Sequence, residues 1–135
     1  MPAFTARAAG VADLTLPLDD GRLVLAPGVD HVVRWTPADG VSRVRLTLNS
    51  RSVGGHGTPL AAVLECETAD AAGQLTVPAT LLDGFPELDG SDICVSIDCP
   101  RSTLARVSIG YAEVPGGYVA FEVSSGRAFP VRHQP

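Results

Sequence analysis

The sequence predicts an all-β fold, in the form of an antiparallel sandwich or barrel, and two observations predict it. Short apolar runs recur along the 135-residue chain and are separated by turn residues, among them 14 glycines and 11 prolines. This is the pattern of many short strands. In addition, the segment RVRLTLN (43–49) alternates strictly between apolar and polar residues, as a strand with one buried face does. The length fits one domain, residues 1–135, with one core.

Each predicted element ends near glycine, proline or aspartate. The predicted strands lie at residues 13–16, 22–26, 31–36, 43–49, 59–67, 74–78, 93–97, 103–112, 118–124 and 127–133. The sequence EVPGGY predicts a hairpin turn between the predicted strands 103–112 and 118–124. Pro130 suits a strand at a sheet edge, because proline cannot donate a ladder hydrogen bond. The one helical candidate is a short helical turn at residues 78–85, where Pro78 can open a helix and Gly84 can end it.

The chain's single tryptophan marks the expected core. Trp35 lies on an early strand whose apolar residues face inward. We expect its ring to pack against apolar residues of four other strands: Val44, Leu64, Val107 and Phe121.

Composition and charge exclude some classes of protein. The formal net charge is −5, and all ten basic residues are arginines without a basic block, so no nucleic-acid partner is expected. No apolar run approaches the roughly 20 residues of a membrane span. The opening residues lack the apolar core of a signal peptide. Either the protein is not exported by that route or the chain is a processed piece, and we favour the second.

Three stretches carry a family resemblance. VVRWTPADGVSRVRLTL (32–48), LECETADAAGQLTVPATLLDGFP (64–86) and LARVSIGYAEV (104–114) together resemble bacterial immunoglobulin-like β-sandwich domains of secreted and cell-surface proteins. The resemblance spans residues 24–123. It implies an immunoglobulin-like β-sandwich and an extracellular or cell-surface location, and it implies no catalytic residue.

The three cysteines, Cys66, Cys94 and Cys99, are candidates for one disulfide. Cys94 and Cys99 would stand about 16 Å apart in an extended strand, beyond the roughly 7 Å limit of a bridge. They could bond only if the strand broke after Ile97. Alternation instead places Cys66 and Cys99 inward, which would allow a bridge across the core, and the third pairing, Cys66 with Cys94, also stays open. Full reduction also stays open, with Cys66 as a small core residue.

Four arginines fall on predicted outward positions of strands: Arg34, Arg43, Arg45 and Arg106. In one shared sheet they would form a basic stripe that could bind an anion or an acidic neighbour. We expect Arg43 and Arg45 to be the ligand-binding candidates of this stripe. The simpler alternative is a solvated face that nearby carboxylates balance.

The only histidines are His31, His56 and His133. Three histidines can bind zinc and leave an open coordination position. Nothing in their spacing brings them together, and exposed or hydrogen-bonded histidines are the simpler interpretation. His56 is the ligand-binding candidate, since it lies in a glycine-rich loop.

The turn ELDGSD offers Glu87, Asp89 and Asp92 as candidate calcium ligands. Calcium prefers clustered carboxylates with carbonyl oxygens. The stretch lacks the full EF-hand spacing, and aspartate and glycine also favour turns by themselves. No other cofactor is expected.

These features together predict a non-enzymatic structural or interaction module. It would be a subunit of a surface or extracellular assembly that self-associates through edge strands at 13–16 and 127–133. One alternative is a calcium- or glycan-binding module. A second alternative is a metalloenzyme that uses the histidines.

Overall fold

A computed structural model describes residues 3–18, 20–38, 40–50, 62–89 and 101–134. Within these ranges the protein is built mainly of β-strands, so the all-β prediction is confirmed. The strands are β1 (Leu23–Leu25), β2 (His31–Arg34), β3 (Arg43–Asn49), β4 (Val63–Ala69), β5 (Gln74–Val77), β6 (Leu88–Asp89), β7 (Ser102–Val114), β8 (Gly117–Phe129) and β9 (Val131–His133). A 3-10 helix (Asp70–Ala72) follows β4, and one short α-helix, α1 (Ala79–Leu82), follows β5.

The described strands form three sheets. The largest is antiparallel, with the strand order β4-β3-β7-β8, and β2 pairs with β5 in a second antiparallel sheet. The third sheet has the order β1-β9-β6, and its β1–β9 pair is parallel. The prediction of purely antiparallel pairing is therefore wrong at this one pair.

Alternation in β3 directs its apolar residues into the core. Val44, Leu46 and Leu48 are fully buried, whereas Arg43 on the opposite face is exposed. The same rule places Leu104 of β7 in the core cluster, because alternate residues of a strand share a face. The core therefore lies against one face of the large sheet.

Trp35 belongs to the core, but only part of its predicted surroundings is correct. The ring is 8% exposed and lies in one cluster with Val44, with Leu64 packed against that cluster. Val107 is buried outside the cluster, since it lies on the face of β7 opposite to Leu104. Phe121 is 49% exposed, so the prediction of a core position for it is wrong.

Two predicted strands differ from the structure. Residues 13–16 form no strand, and the predicted strand 127–133 is divided at Pro130. Before Pro130, residues 127–129 complete β8 at the edge of the large sheet, as predicted; after it, β9 is the central strand of another sheet. The prediction of an edge is therefore wrong for β9. The predicted strand 93–97 lies outside the described residues.

The predicted helical turn at 78–85 is confirmed. Pro78 precedes the first residue of α1, and its carbonyl accepts a hydrogen bond from Leu81 N–H at 3.0 Å. The turn closes with Phe85 N–H donating to Leu82 O at 2.8 Å. Leu82 and Phe85 are both buried, so the segment contributes apolar packing to the core.

A buried ion pair between Asp70 and Arg106 connects β7 of the large sheet to the 3-10 helix. The Arg106 Nε atom donates to Asp70 Oδ1 at 2.8 Å, and the two residues are 2% and 0% exposed. The other guanidinium nitrogens donate to the carbonyls of Asp13, at 2.6 Å, and of Thr36. The prediction that Arg106 points outward is therefore wrong.

The carboxylate and the backbone groups of Asp70 all form hydrogen bonds. Its Oδ2 accepts the backbone N–H of Ala38 at 2.7 Å, and its carbonyl accepts the Trp35 Nε1–H at 2.9 Å. Its own N–H donates to Ser42 O at 2.9 Å. A buried carboxylate is tolerated only with such partners. This one side chain therefore joins the β2–β3 connection to the 3-10 helix.

Candidate interaction surface on the long hairpin

The β7–β8 hairpin is the most extended feature of the described chain. Its strands pair without interruption from Ser102↔Phe129 to Val114↔Gly117. The turn is made by Pro115 and Gly116, and Gly116 has a φ of 90°, which fits the third position of a type II turn. The predicted hairpin turn is confirmed.

The outer half of this hairpin extends past the rest of the sheet. β3 pairs with β7 only as far as Val107. From Ser108↔Val123 to Val114↔Gly117, no other described strand pairs with the hairpin. At ~3.4 Å per residue these seven pairs form a two-stranded arm of roughly 24 Å. We call residues 108–123 the hairpin arm.

One face of the hairpin arm exposes large apolar side chains. Tyr111 is 63% exposed, Tyr118 is 69% exposed and Ile109 is 39% exposed. The two tyrosine rings meet edge to face, with ring centroids 5.7 Å apart. Strand pairing puts all three side chains on the same side of the arm. These three side chains form an exposed apolar face of the hairpin arm.

The opposite face of the hairpin is covered in part by the N-terminal segment, residues 3–13. The backbone of Arg7 passes so close to Gly110 that a Cβ atom there would overlap the carbonyl oxygen of Arg7. Further along, Ser125 Oγ donates to Asp13 Oδ1 at 2.7 Å. The segment thus lies against one side of the hairpin and leaves the tyrosine side open.

β8 is also an open edge of the large sheet. It stands last in the order β4-β3-β7-β8, and no described strand pairs with its other side. Within its 13 residues there is no proline and no lysine, and its charged residues are Glu122 and Arg127. Edge strands normally carry prolines and charged residues, lysine especially, which prevent pairing with another chain. This edge is only weakly protected against strand addition.

Beside the arm, charges on the outer face of the sheet balance one another. Arg45 lies 2.8 Å from Glu67 and 3.0 Å from Glu122, and Arg43 also pairs with Glu67. Arg34 belongs to the separate β2–β5 sheet and Arg106 is buried. The prediction of one shared basic stripe is therefore wrong, and the carboxylate-balanced alternative is confirmed for Arg43 and Arg45.

Burial alone would raise the pKa of Glu67, but hydrogen bonds from Arg43 and Arg45 outweigh it and hold this pKa below its ordinary value of 4.5. A carboxyl whose pKa is lower in the folded state contributes stability above its unfolded pKa and loses it as the pH falls through the folded pKa. The ionised Glu67 therefore stabilises the fold at neutral pH.

Glu67→Gln is expected to lower the free energy of unfolding at pH 7 by about 1 kcal/mol or less, since exposed ion pairs are weak. At a pH below the folded pKa of Glu67 the difference from the wild type should vanish. Urea unfolding at a series of pH values measures this. Glu113→Gln, which removes an exposed carboxylate on the arm, is the control. A pH-independent difference for Glu67→Gln would contradict the electrostatic explanation.

The two described histidines lie in different sheets. His31 is half-buried at the start of β2, and burial lowers its pKa. His133 is fully buried in β9, with Nδ1 3.1 Å from Pro86 O and the ring edge-to-face with Phe85. His56 lies outside the described residues. Among residues 3–18, 20–38, 40–50, 62–89 and 101–134, no group of three His, Cys, Asp or Glu side chains could hold a metal ion.

The remaining candidate residues are only partly described. Cys66 is a free cysteine that packs against the core, as its predicted role as a small core residue requires, and burial raises its thiol pKa. The predicted bridge between Cys66 and Cys99 is therefore wrong, and so is one between Cys66 and Cys94. Cys94 and Cys99 lie outside the described residues, so a bridge between these two stays a prediction. The calcium site also stays a prediction, because Asp92 is outside too. Glu87 is exposed, and the backbone of Asp89 pairs with Arg132.

Sequence reasoning missed the hairpin arm as a candidate site. The signal was present in YAEVPGGY (111–118), where two tyrosines flank a two-residue turn. What the pattern does not reveal is that β3 begins opposite Val107, so that no described strand lies beside the arm.

Comparison with known proteins gave no family model, no curated protein and no solved structure that matches the chain. In the described part of the chain, no helix has the length and apolar character of a membrane span.

Proposed function

We propose that this protein is a non-enzymatic interaction module that self-associates through the hairpin arm and the open edge of β8. The observation that carries the proposal is the arm itself, which exposes Tyr111 and Tyr118 beyond the last pair of β3 with β7, Arg43↔Val107. A two-stranded ribbon is only marginally stable in water. Exposed apolar patches on soluble proteins commonly mark interaction sites.

A second copy of the chain is the partner that this edge fits best. Two identical β8 strands can pair antiparallel about a two-fold axis, so that each offers its unpaired N–H and C=O groups to the other. Such pairing would continue the large sheet across both copies. The tyrosine faces of both arms would then lie on the same side of the joined sheet.

The proposal includes an immunoglobulin-like sandwich in an extracellular or surface assembly. The order β4-β3-β7-β8, with the two hairpins joined through β3 and β7, is compatible with the C′CFG sheet of variable-type immunoglobulin domains. The extracellular setting rests on the sequence resemblance. A free-thiol count on protein from its native source bears on it, because an oxidising compartment would leave one thiol of three.

Replacing both tyrosines, Tyr111→Ser with Tyr118→Ser, is expected to weaken self-association by roughly tenfold or more, since buried interface tyrosines are frequent hot spots. Sedimentation velocity over a concentration series measures the monomer–dimer equilibrium. Adding Ala120→Lys on the exposed part of β8 should weaken it further, because an edge lysine opposes strand pairing.

Val29→Ser is the matched control, since Val29 is 52% exposed but lies between β1 and β2. It should leave the association constant unchanged. A wild-type protein that sediments as a monomer at every concentration would refute self-association. Equal association constants of the wild type and the tyrosine variant would show that the arm does not contribute to self-association.

A further inference from the structure

A cleft of ≈ 320 Å³ lies beside β2, far along the chain from the hairpin arm. It is lined by residues 16–18, 22–24 and 31–34. All four residues of β2 line the cleft, and in the described structure β2 pairs only with β5. The volume is at the lower end of the roughly 300–1,000 Å³ typical of small-molecule sites.

Two arginines in this cleft have no counter-charge among the residues that the structure describes. Arg22 and Arg34 both line it, and neither takes part in an ion pair within the described part of the chain. No described aspartate or glutamate is among the lining residues. By contrast, three arginines of the large sheet, Arg43, Arg45 and Arg106, are each paired with a carboxylate.

The side chain of Arg22 also has an unused hydrogen-bond donor. Its Nε atom is buried and donates to no acceptor among the described residues. A buried donor without a partner is destabilising, more so on a charged group. The Nε–H and a neighbouring Nη–H of a guanidinium form a planar pair of donors that matches the two oxygens of a carboxylate.

The rest of the cleft is largely apolar. Leu23 and Val33 are buried core residues, and Leu16 and Leu18 pack against the same core cluster. A small inorganic anion would leave these side chains without contact. A ligand with both an acidic group and an apolar portion would contact both parts of the lining.

We propose that this cleft binds a small carboxylate that carries an apolar chain. The carboxylate is held by the donors of Arg22, and Arg34 adds a second positive charge. The apolar chain lies along Leu16, Leu18 and Leu23. This binding site is independent of the proposed self-association, because it uses residues around β1 and β2 and none of the hairpin arm.

Calorimetric titration of the full chain with octanoate tests the site. Octanol supplies the apolar chain without the charge, and inorganic phosphate supplies the charge without the chain. We expect saturable binding of octanoate that is at least roughly tenfold tighter than that of either control ligand. No binding of octanoate, or equally tight binding of octanol or phosphate, would overturn the proposal.

Arg22→Gln should weaken octanoate binding by roughly tenfold or more, and the exposed Arg34→Gln should weaken it less. Arg127→Gln removes an exposed arginine of β8 and serves as the matched control with unchanged affinity. Circular dichroism shows whether each variant is folded. If Arg22→Gln does not fold, Arg34→Gln alone tests the site. Unchanged affinity in both cleft variants would overturn the assignment.

Discussion

Replacing Asp70 by asparagine is expected to lower the free energy of unfolding by about 3–5 kcal/mol, a large part of the 5–15 kcal/mol typical of a domain. The substitution preserves size and removes the charge that compensates Arg106. The guanidinium would then stay almost fully buried, at 2% exposure, opposite a neutral amide. An uncompensated buried charge costs far more than the loss of a surface ion pair.

Urea unfolding, followed by the fluorescence of the only tryptophan, measures this effect. Trp35 is a direct reporter, because its Nε1–H donates to the Asp70 carbonyl. Glu122→Gln is the control: it removes one carboxylate from the exposed Arg45 pair and should cost about 1 kcal/mol or less. Equal losses in the two variants would contradict the importance of the buried pair.

A double variant separates the charge effect from lost packing. Arg106→Met together with Asp70→Asn removes both charges, and apolar substitutes often restore stability at such sites. We expect the double variant to be more stable than the sum of the single losses predicts, by about 0.5–3 kcal/mol. Recovery should be incomplete, since the carbonyls of Asp13 and Thr36 lose their donors. Strict additivity would show that the two side chains act separately.

Arg106 also shows where sequence reasoning reaches its limit. In β3, each face carries one kind of residue, so alternation predicts burial correctly. In β7, Arg106 and Val107 are adjacent and both buried, so hydrophobicity alone selects the wrong one as inward. The partner that permits Arg106 to be buried is Asp70, 36 residues away. A local pattern contains no information on that pairing.

The hairpin and the N-terminal segment show the same limit in other ways. The turn at Pro115–Gly116 is encoded locally and was predictable. The full length of β7 and β8 was not, because the pairing continues through Gly126, a residue type with low strand propensity. Residues 13–16 have a strand-like sequence but form no strand. The Asp13 carbonyl instead accepts a hydrogen bond from the buried side chain of Arg106.

Gly110→Ala is expected to displace the N-terminal segment from the hairpin. An added Cβ would overlap the carbonyl oxygen of Arg7 and lie 2.5 Å from its carbonyl carbon. Both are backbone atoms, so no side-chain rotation relieves the overlap. Overpacking of this kind costs about 1–3 kcal/mol. Moving the N-terminal segment costs less free energy than distorting β7. The segment forms no described strand with the hairpin, whereas β7 is paired along its length with β8.

Limited trypsin digestion measures the displacement at the bond after Arg7. A protease must bind an extended, locally released backbone, so the cleavage rate follows the population of the open segment. We expect it to rise by roughly tenfold, as an overpacking cost of about 1.4 kcal/mol implies. Gly117→Ala is the control on the same hairpin, because an added Cβ there meets no atom within 4 Å. Faster cleavage only in Gly110→Ala would show that the contact of Gly110 with Arg7 holds the segment in place. Continued protection of the β7–β8 amides from hydrogen exchange would show that the hairpin persists without this contact. Equal cleavage in both variants would mean that the contacts of Asp13 with Ser125 and Arg106 suffice to hold the segment in place.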